Sequence, residues 1–460
     1  MAANALNIGW AQASITPDQP VNLFGMFNER ISTHVEEPCM ATALALEGAD
    51  GEHAVWISCD LVNVQLDVVL DVRCGVAERL PGVSPEKVLI SCTHTHNAPN
   101  FSGDLFPPPP PGAMTCETYR GFFVQQVVEA AVQAWDSRSP GQVSPGLGHA
   151  VLGWCRRVAF ADGTGQMYGD AKRADFVKVE GPMDPGIELL FTHDLDGKPT
   201  GAVVSIACTA QTCMSETFLT ADLWGPTRRG LREHFGDSFT VLAVTGAAGD
   251  QCPDDLIRWG RSEPRLRGIE ACNLLGRRLT QGVIEGYEVG RRDMVADPVF
   301  RHKHAVIELP AYTMSAEQVA EYENLISSLT ANGEPDPKSW DGGTLLRTRR
   351  LLERHAAMGP NPMLPVDCSF LRIGDLAVAT NPFELYLEYG QRIKARCPAT
   401  QTIAAELTND RLSYLPTREA LAHGHYSAMP ASIRIGPDGG DQLVEQSLEM
   451  LESLFSEHGK

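Results

Sequence analysis

Two histidines one residue apart close an apolar run in "VLISCTHTHNAPN", Val88 to Asn100. Neutral imidazole is a common zinc ligand, and a catalytic zinc takes three protein ligands while leaving a position open for water. In extended backbone, residues two apart point to the same side, about 6.6 Å apart along the chain. On that geometry His94 and His96 can face one point. An HxH pair alone equally describes two hydrogen-bonded histidines; its place after a buried strand favours the metal.

Three other apolar runs end in polar clusters. "WISC" runs into Asp60, "VVSIA" into "CTAQTC" with Gln211, and "VLAVT" into "GAAGDQC" with Asp250 and Cys252. Ligands of open α/β sheets bind outside the carboxyl ends of the strands, so four such ends predict one composite active site. Gln211, Asp250 and Cys252 are its candidate substrate-binding residues. A metal needs further ligands from distant segments. Glu384 in "ATNPFELYLEYG" follows a strand, where it also reads as the acidic residue of a helix's first turn. Tyr414 in "DRLSYLPTREAL" stands at another strand end, where it also reads as packing. The glycine-containing loop at 246–255 lacks G-x-x-x-x-G-K-[ST], and neither a GxSxG elbow nor an HExxH helix is present, which removes nucleotide-binding, serine-hydrolase and zincin readings.

The elements that must position these groups alternate. "HAVWISCD" is followed by a helical pattern to about Leu80 and then by "KVLIS", and similar strands recur at Gly201 to Cys208, Phe239 to Gly246 and Leu371 to Thr380. This rhythm gives an α/β fold class, a mixed β-sheet core flanked by helices and covered on both faces. Apolar stripes at Thr118 to Trp135 and Arg265 to Tyr287 are helices that lie on the sheet. Ser315 and Gln318 form a capping box that starts another, ending near "ANGEPDP". "FPPPPPG", Phe106 to Gly112, is an extended loop or the wall of a lid beside the histidines. No repeat or long linker divides the chain, so 1–460 reads as a single domain.

With 43% hydrophobic and 21% charged residues among 460, the chain is an ordinary globular protein without a membrane span. The formal net charge of −20 argues against nucleic acid or an anionic membrane as partner; a small-molecule substrate remains. Twelve cysteines, mostly inside apolar segments, read as buried thiols. Together with an N-terminus lacking signal-peptide features, they give a cytoplasmic expectation.

At these segments the sequence resembles the neutral/alkaline, non-lysosomal ceramidase family, in its zinc-bearing catalytic domain. The resemblance runs from "NIGWAQASITP" and "NLFGMF" through "VLISCTHTHNAPN", "DPGIELLFTHDLDGKPTGAVVSIAC" and "TGAAGDQCP". It continues in "NPFELYLEYGQRIK" and ends in "YLPTREA" and "IGPDGG". It implies a zinc-dependent hydrolase that cleaves an N-acyl amide bond with a metal-activated water, on a substrate other than ceramide if this is a diverged branch. On this resemblance the chain corresponds to the catalytic domain, and the larger ceramidases' C-terminal immunoglobulin-like domain is expected to be absent.

Carried over by motif, the resemblance makes His94 a zinc ligand and places His96 beside the water and substrate. "NPFE" makes Glu384 a further ligand, and "YLPT" makes Tyr414 another. Two positions depart from the pattern. Thr209 in "ACTAQTC" stands where the family has a third zinc histidine, and Cys252 stands where it has a serine. Either His96 joins the ligands, or Cys208, Gln211 or Cys213 replaces the imidazole, or metal binding is weakened or lost. In the resulting mechanism His96 handles the proton, Arg156 or Arg157 of "WCRRVAF" holds substrate or oxyanion, with Arg157 the catalytic candidate, and Asp60 orients a histidine. A metal-dependent lyase or hydrolase of a carbohydrate or other polar small molecule is the second reading, and a catalytically silent binding protein on the same scaffold the third.

Overall fold

A computed structural model describes residues 5–26, 28–101, 108–258, 267–336 and 339–456. Eight strands form the larger sheet: β1 (Leu6–Ser14), β2 (Met40–Glu47), β3 (His53–Cys59), β4 (Val88–Cys92), β5 (Ser139–His149), β10 (Gly186–Asp194), β11 (Pro199–Ile206) and β12 (Thr240–Thr245). Their order is β12-β11-β10-β5-β1-β2-β3-β4. The interior pairs are antiparallel, whereas β3/β4 and β11/β12 at the two edges are parallel. Parallel neighbours need a crossover, supplied by helix α1 (Leu66–Arg79) at one edge and α3 (Trp224–Phe235) at the other. The expected mixed α/β sheet is therefore present.

A second sheet contains β14 (Phe300–Pro310), β15 (Met363–Ile373), β16 (Leu376–Thr380) and β18 (Gln401–Ala405). Alternation along the strands sends one set of side chains, including Leu44, Trp56, Leu190, Leu242, Phe300 and Val378, into a core shared by both sheets. The opposite set of the larger sheet packs under α1 and α2 (Cys116–Asp136) on one half, and under α3 and α4 (Gly268–Gly290) on the other. In α2, Tyr119, Phe123, Val127, Ala130 and Ala134 recur at helical spacing and are buried. Helices α7 (Leu387–Arg396) and α9 (Pro437–Ser456) cover the second sheet. Helix α5 (Ala316–Thr330) begins with the expected reciprocal Ser315–Gln318 capping box and packs on α6 (Trp340–Ala356).

Short pairs build the functional end. They are β6 (Trp154–Cys155) with β13 (Gln251–Cys252), and β17 (Glu384–Leu385) with β19 (Tyr414–Leu415). Nearby lie a three-stranded antiparallel sheet of β7 (Arg157–Phe160), β8 (Gly165–Met167) and β9 (Phe176–Val179), with β7 in the middle, and helix α8 (Arg418–His423). The larger sheet curls so that β12 comes against β2, β3 and β4. Ser58 Oγ donates to the Ala243 carbonyl at 2.5 Å and Thr245 Oγ1 to the Cys92 carbonyl at 3.1 Å. This curl brings strand ends from opposite sheet edges together. Of the proline run, 106–107 lie outside the described residues, and 108–112 is irregular, ending in a turn. Among the described residues no helix is long and apolar enough to cross a membrane.

Candidate functional site

Strand β4 stops at Cys92, and the two histidines are not on extended backbone. His94 adopts a left-handed φ of 59°, a conformation costing a non-glycine residue of the order of 1–2 kcal/mol. The turn nevertheless brings the rings together, with Nε2 of His96 3.2 Å from Nε2 of His94. His94 Nδ1 lies 3.0 Å from the Val62 carbonyl. A carbonyl only accepts, so that nitrogen carries the proton and Nε2 presents a lone pair. Gly25, at φ +101°, packs its backbone on the His96 ring, where a Cβ would come within 2.6 Å. Both imidazoles are held neutral. Burial lowers the His94 pKa against the opposing Glu384 charge. Burial, then His94 and the cations of Arg30, Arg156 and Arg267, hold His96 well below the usual range.

Glu384 Oε2 lies 3.7 Å from His94 Nε2. In the parallel pair β17/β19, Glu384 is the direct partner of Tyr414, and the carboxylate and phenol interact through a hydrogen bond. Burial, with the Glu384 charge, raises the Tyr414 pKa well above its usual value. Glu406 anchors this corner: its Oε2 accepts from Leu385 N at 2.7 Å and from Ala248 N at 3.0 Å. Burial keeps its carboxyl protonated well above the usual range.

The two adjacent arginines separate. Arg157 turns away from the histidines to Glu180, with Nε to Oε2 at 2.5 Å, and to the carbonyls of Gly424 at 2.7 Å and Tyr426 at 2.8 Å. Its fork is filled, so it holds the loop carrying Tyr426 instead of a substrate. Arg156 is the one that reaches the site, donating to the Gly249 carbonyl at 2.8 Å and reaching the Tyr414 hydroxyl at 3.4 Å. Burial disfavours its charge, but Tyr414, Tyr168 and Glu384 outweigh that and raise its pKa. Its backbone is set by the loop "GDQC": Arg156 N donates to the Asp250 carbonyl at 2.8 Å, beside the β6/β13 pairing of Cys252 with Trp154.

Of the candidate substrate contacts, Gln211 donates to the Tyr168 hydroxyl at 2.7 Å. The Asp250 carboxylate accepts from Leu387 N at 2.9 Å. Cys252 Sγ is engaged with the Asp254 backbone at 3.4 and 3.5 Å, and burial pushes its thiol up to about 12. Cys252 is thus committed to the loop itself, and Asp250 ties the loop to the start of α7. Asp60 orients no histidine: Arg228 binds both its oxygens at 2.6 and 3.0 Å, and Met40 N donates to Oδ2 at 2.8 Å. The Val62 carbonyl performs the orienting role instead.

Of the candidate replacements for the imidazole at Thr209, Cys208, Gln211 and Cys213 are all turned to other partners, while His96 Nε2 stays 3.2 Å from His94 Nε2. Cys208 Sγ faces the Leu152 carbonyl at 3.3 Å, Gln211 is on Tyr168, and Cys213 lies against Cys272. The Thr209 hydroxyl is buried without a hydrogen-bond partner. Tested against a divalent cation, the donors fit: a lone pair on His94 Nε2, a carboxylate 3.7 Å away and a phenol paired with it make a nitrogen and two oxygens, the three-ligand count of a catalytic zinc. Tyr168 and Tyr426 were not legible as site residues. Tyr168 has a left-handed φ of 54°, and Tyr426 packs edge-on at 5.5 Å from Tyr414, its pKa raised by burial to about 12.

No family model matches the chain, and no curated protein matches it. It is similar in structure to the neutral ceramidase from Pseudomonas aeruginosa, with 18% identity and a TM-score of 0.71 over 98% of this chain and 74% of that one. A solved structure described as ceramidase complexed with C2 matches at 18% identity and a TM-score of 0.73, over 98% of this chain and 75% of that one. The chain has a neutral ceramidase-like fold.

Proposed function

We propose that this chain, built on a neutral ceramidase-like fold, is a metal-dependent hydrolase of an N-acyl amide, with His94, Glu384 and Tyr414 as the ligands of a zinc-like divalent cation. The observation that carries the reading is the 3.7 Å approach of Glu384 Oε2 to His94 Nε2, with Tyr414 in register beside the carboxylate. Such an ion, when bound, polarises a carbonyl and makes water more acidic. The chain's own groups would do the remaining work. The Val62 carbonyl fixes the His94 tautomer. His96 Nε2, 3.2 Å from His94 Nε2, is placed to move a proton at the reacting centre. Arg156 directs a buried, charged guanidinium to the Tyr414 hydroxyl, where it can also receive the developing oxyanion. Gln211 and Tyr168, hydrogen-bonded to each other at 2.7 Å, would offer polar contacts to the substrate.

That buried Arg156 and the Gln211–Tyr168 pair favour a second reading, a metal-dependent lyase or hydrolase acting on a carbohydrate or other polar small molecule. Metal analysis of the purified protein, followed by turnover of N-acyl amides and glycosides before and after chelation, separates the two. Stoichiometric metal with chelator-sensitive amide cleavage supports the hydrolase. A metal-free protein whose activity survives His94→Ala defeats both.

A further inference from the structure

Away from the histidines, Cys213, Asp222 and Cys272 form a buried group, the one set of three His, Cys, Asp or Glu donors at metal-ligand spacing among the described residues. Cys213 follows the loop that carries Gln211, Asp222 at φ 53° precedes α3, and Cys272 lies near the start of α4. The two sulfurs are 3.2 Å apart. Thr212 Oγ1 is 2.7 Å from Cys272 Sγ and donates to Asp222 Oδ1 at 2.8 Å.

A cation and a covalent bond make different demands on this group. Zinc–sulfur bonds of about 2.3 Å set two tetrahedral thiolates about 3.7 Å apart, wider than the 3.2 Å observed. The Asp222 carboxylate also already accepts three hydrogen bonds, from Leu223 N at 2.8 Å, Cys213 N at 2.9 Å and the Thr212 hydroxyl. A disulfide of about 2.05 Å needs only about 1 Å of further approach from sulfurs at 3.2 Å.

We propose that Cys213 and Cys272 are a disulfide-forming pair, oxidised by a low-molecular-weight disulfide such as glutathione disulfide. One thiolate attacks the oxidant's sulfur and releases one glutathione thiol. The second cysteine then attacks the mixed disulfide, forms the Cys213–Cys272 bond and releases the other. Two cysteine thiols are oxidised, one glutathione disulfide is reduced to two thiols, and both protons end on the released thiols or solvent. With Thr212 donating to Asp222, the Cys272 S–H is oriented to donate to Thr212, a path by which its proton leaves toward a carboxylate whose basicity burial raises. Both thiols are buried, so the reaction is slow.

The cross-link would tie down the segment between Cys213 and Asp222, which clamps the histidine turn. Thr95 Oγ1 donates to the Thr220 carbonyl at 2.8 Å, and Asn97 Nδ2 to the Glu216 and Phe218 carbonyls at 3.1 and 3.0 Å.

The test is to incubate the full-length protein with glutathione disulfide, denature it, block free thiols with iodoacetamide and map non-reduced peptides by mass spectrometry. The expected result is a peptide pair joined through Cys213 and Cys272, two hydrogens lighter than its parts and separated by dithiothreitol. The thermal midpoint should rise by roughly 4 °C, and Cys272→Ser should remove both link and rise. Alkylation of both cysteines after oxidation, or glutathione retained on either, overturns the proposal even if the variant fails to fold. So does a co-purifying zinc that Cys272→Ser removes and His94→Ala leaves in place.

Discussion

Glu384 and Tyr414 are direct neighbours in a parallel ladder of two residues a strand, so the carboxylate–phenol contact is fixed by backbone pairing and not by side-chain packing alone. Glu384 N donates to the Ser413 carbonyl at 2.9 Å, and Ser413 takes a left-handed φ of 63°. Backbone strain is thus spent on bringing two distant segments into register beside His94, a common property of functional sites.

The first prediction follows from this pairing. Glu384→Gln keeps the shape and the ladder but removes the charge facing His94. Activity should fall at least about 100-fold, beyond the 10–100-fold typical of groups behind a metal ligand, with metal content reduced in parallel. Unfolding by urea should stay close to wild type. Full metal occupancy with unchanged turnover would remove Glu384 from the site.

Arg156 and Arg157 should fail in different ways. Arg156→Ala should lower kcat by roughly 100-fold or more while the protein remains folded. Arg157→Ala removes the guanidinium from Glu180 inside the protein, where the arginine side chain is 0% and the glutamate 5% exposed, and leaves it only the His423 contact at 2.8 Å. Breaking such a buried pair costs about 3–5 kcal/mol, read as a lower urea midpoint. Identical stability losses in the two variants would contradict the separation of roles.

Much of this arrangement could be read from residue order. Polar clusters at the ends of β3, β4, β11 and β12 are local features, and apolar runs mark those strands plainly. The two adjacent arginines could not be told apart, because β7 sends Arg157 to Glu180 while Arg156 follows the β6/β13 pairing. Asp60 was equally misleading. Its partner Arg228 lies 168 residues away, and an acidic residue at a strand end has the same local pattern whether it binds a guanidinium or an imidazole. His94 and His96 meet through a left-handed turn, not the strand periodicity that first linked them.

A pH effect on stability should arise outside the site, at His302 on β14. Burial first, then the charge of Lys87, lowers its pKa to about 3, against an opposing His53 backbone contact and with smaller lowering contributions from His304 and His53. An unfolded histidine titrates near about 6.5. Between these values the unfolded chain holds a proton that the folded chain does not, so stability rises with pH. The contribution is complete above about pH 6.5 and is lost on acidification at up to about 1.4 kcal/mol per pH unit. His302→Leu should flatten the decline in urea stability between pH 7.5 and 5 relative to wild type. Parallel curves for the two proteins would exclude the effect.

Thr209 offers the sharpest test of the proposed metal centre. Its hydroxyl is buried and unpartnered, so Thr209→Val removes a polar group that gains nothing from the fold and should leave stability unchanged or raise it by up to about 1 kcal/mol. If the cation relies on His94, Glu384 and Tyr414, the valine variant should retain it. Thr209→His, by contrast, returns an imidazole to the end of β11, where the "ACTAQTC" loop meets the histidine turn through the His96 N to Ala210 carbonyl bond at 3.2 Å. A fourth protein ligand should slow metal loss to a chelator by about tenfold or more. It should also lower turnover if it fills the position that the substrate needs. Faster metal loss from Thr209→Val would instead make the threonine hydroxyl a ligand, and an unchanged chelation rate in Thr209→His would place the cation elsewhere.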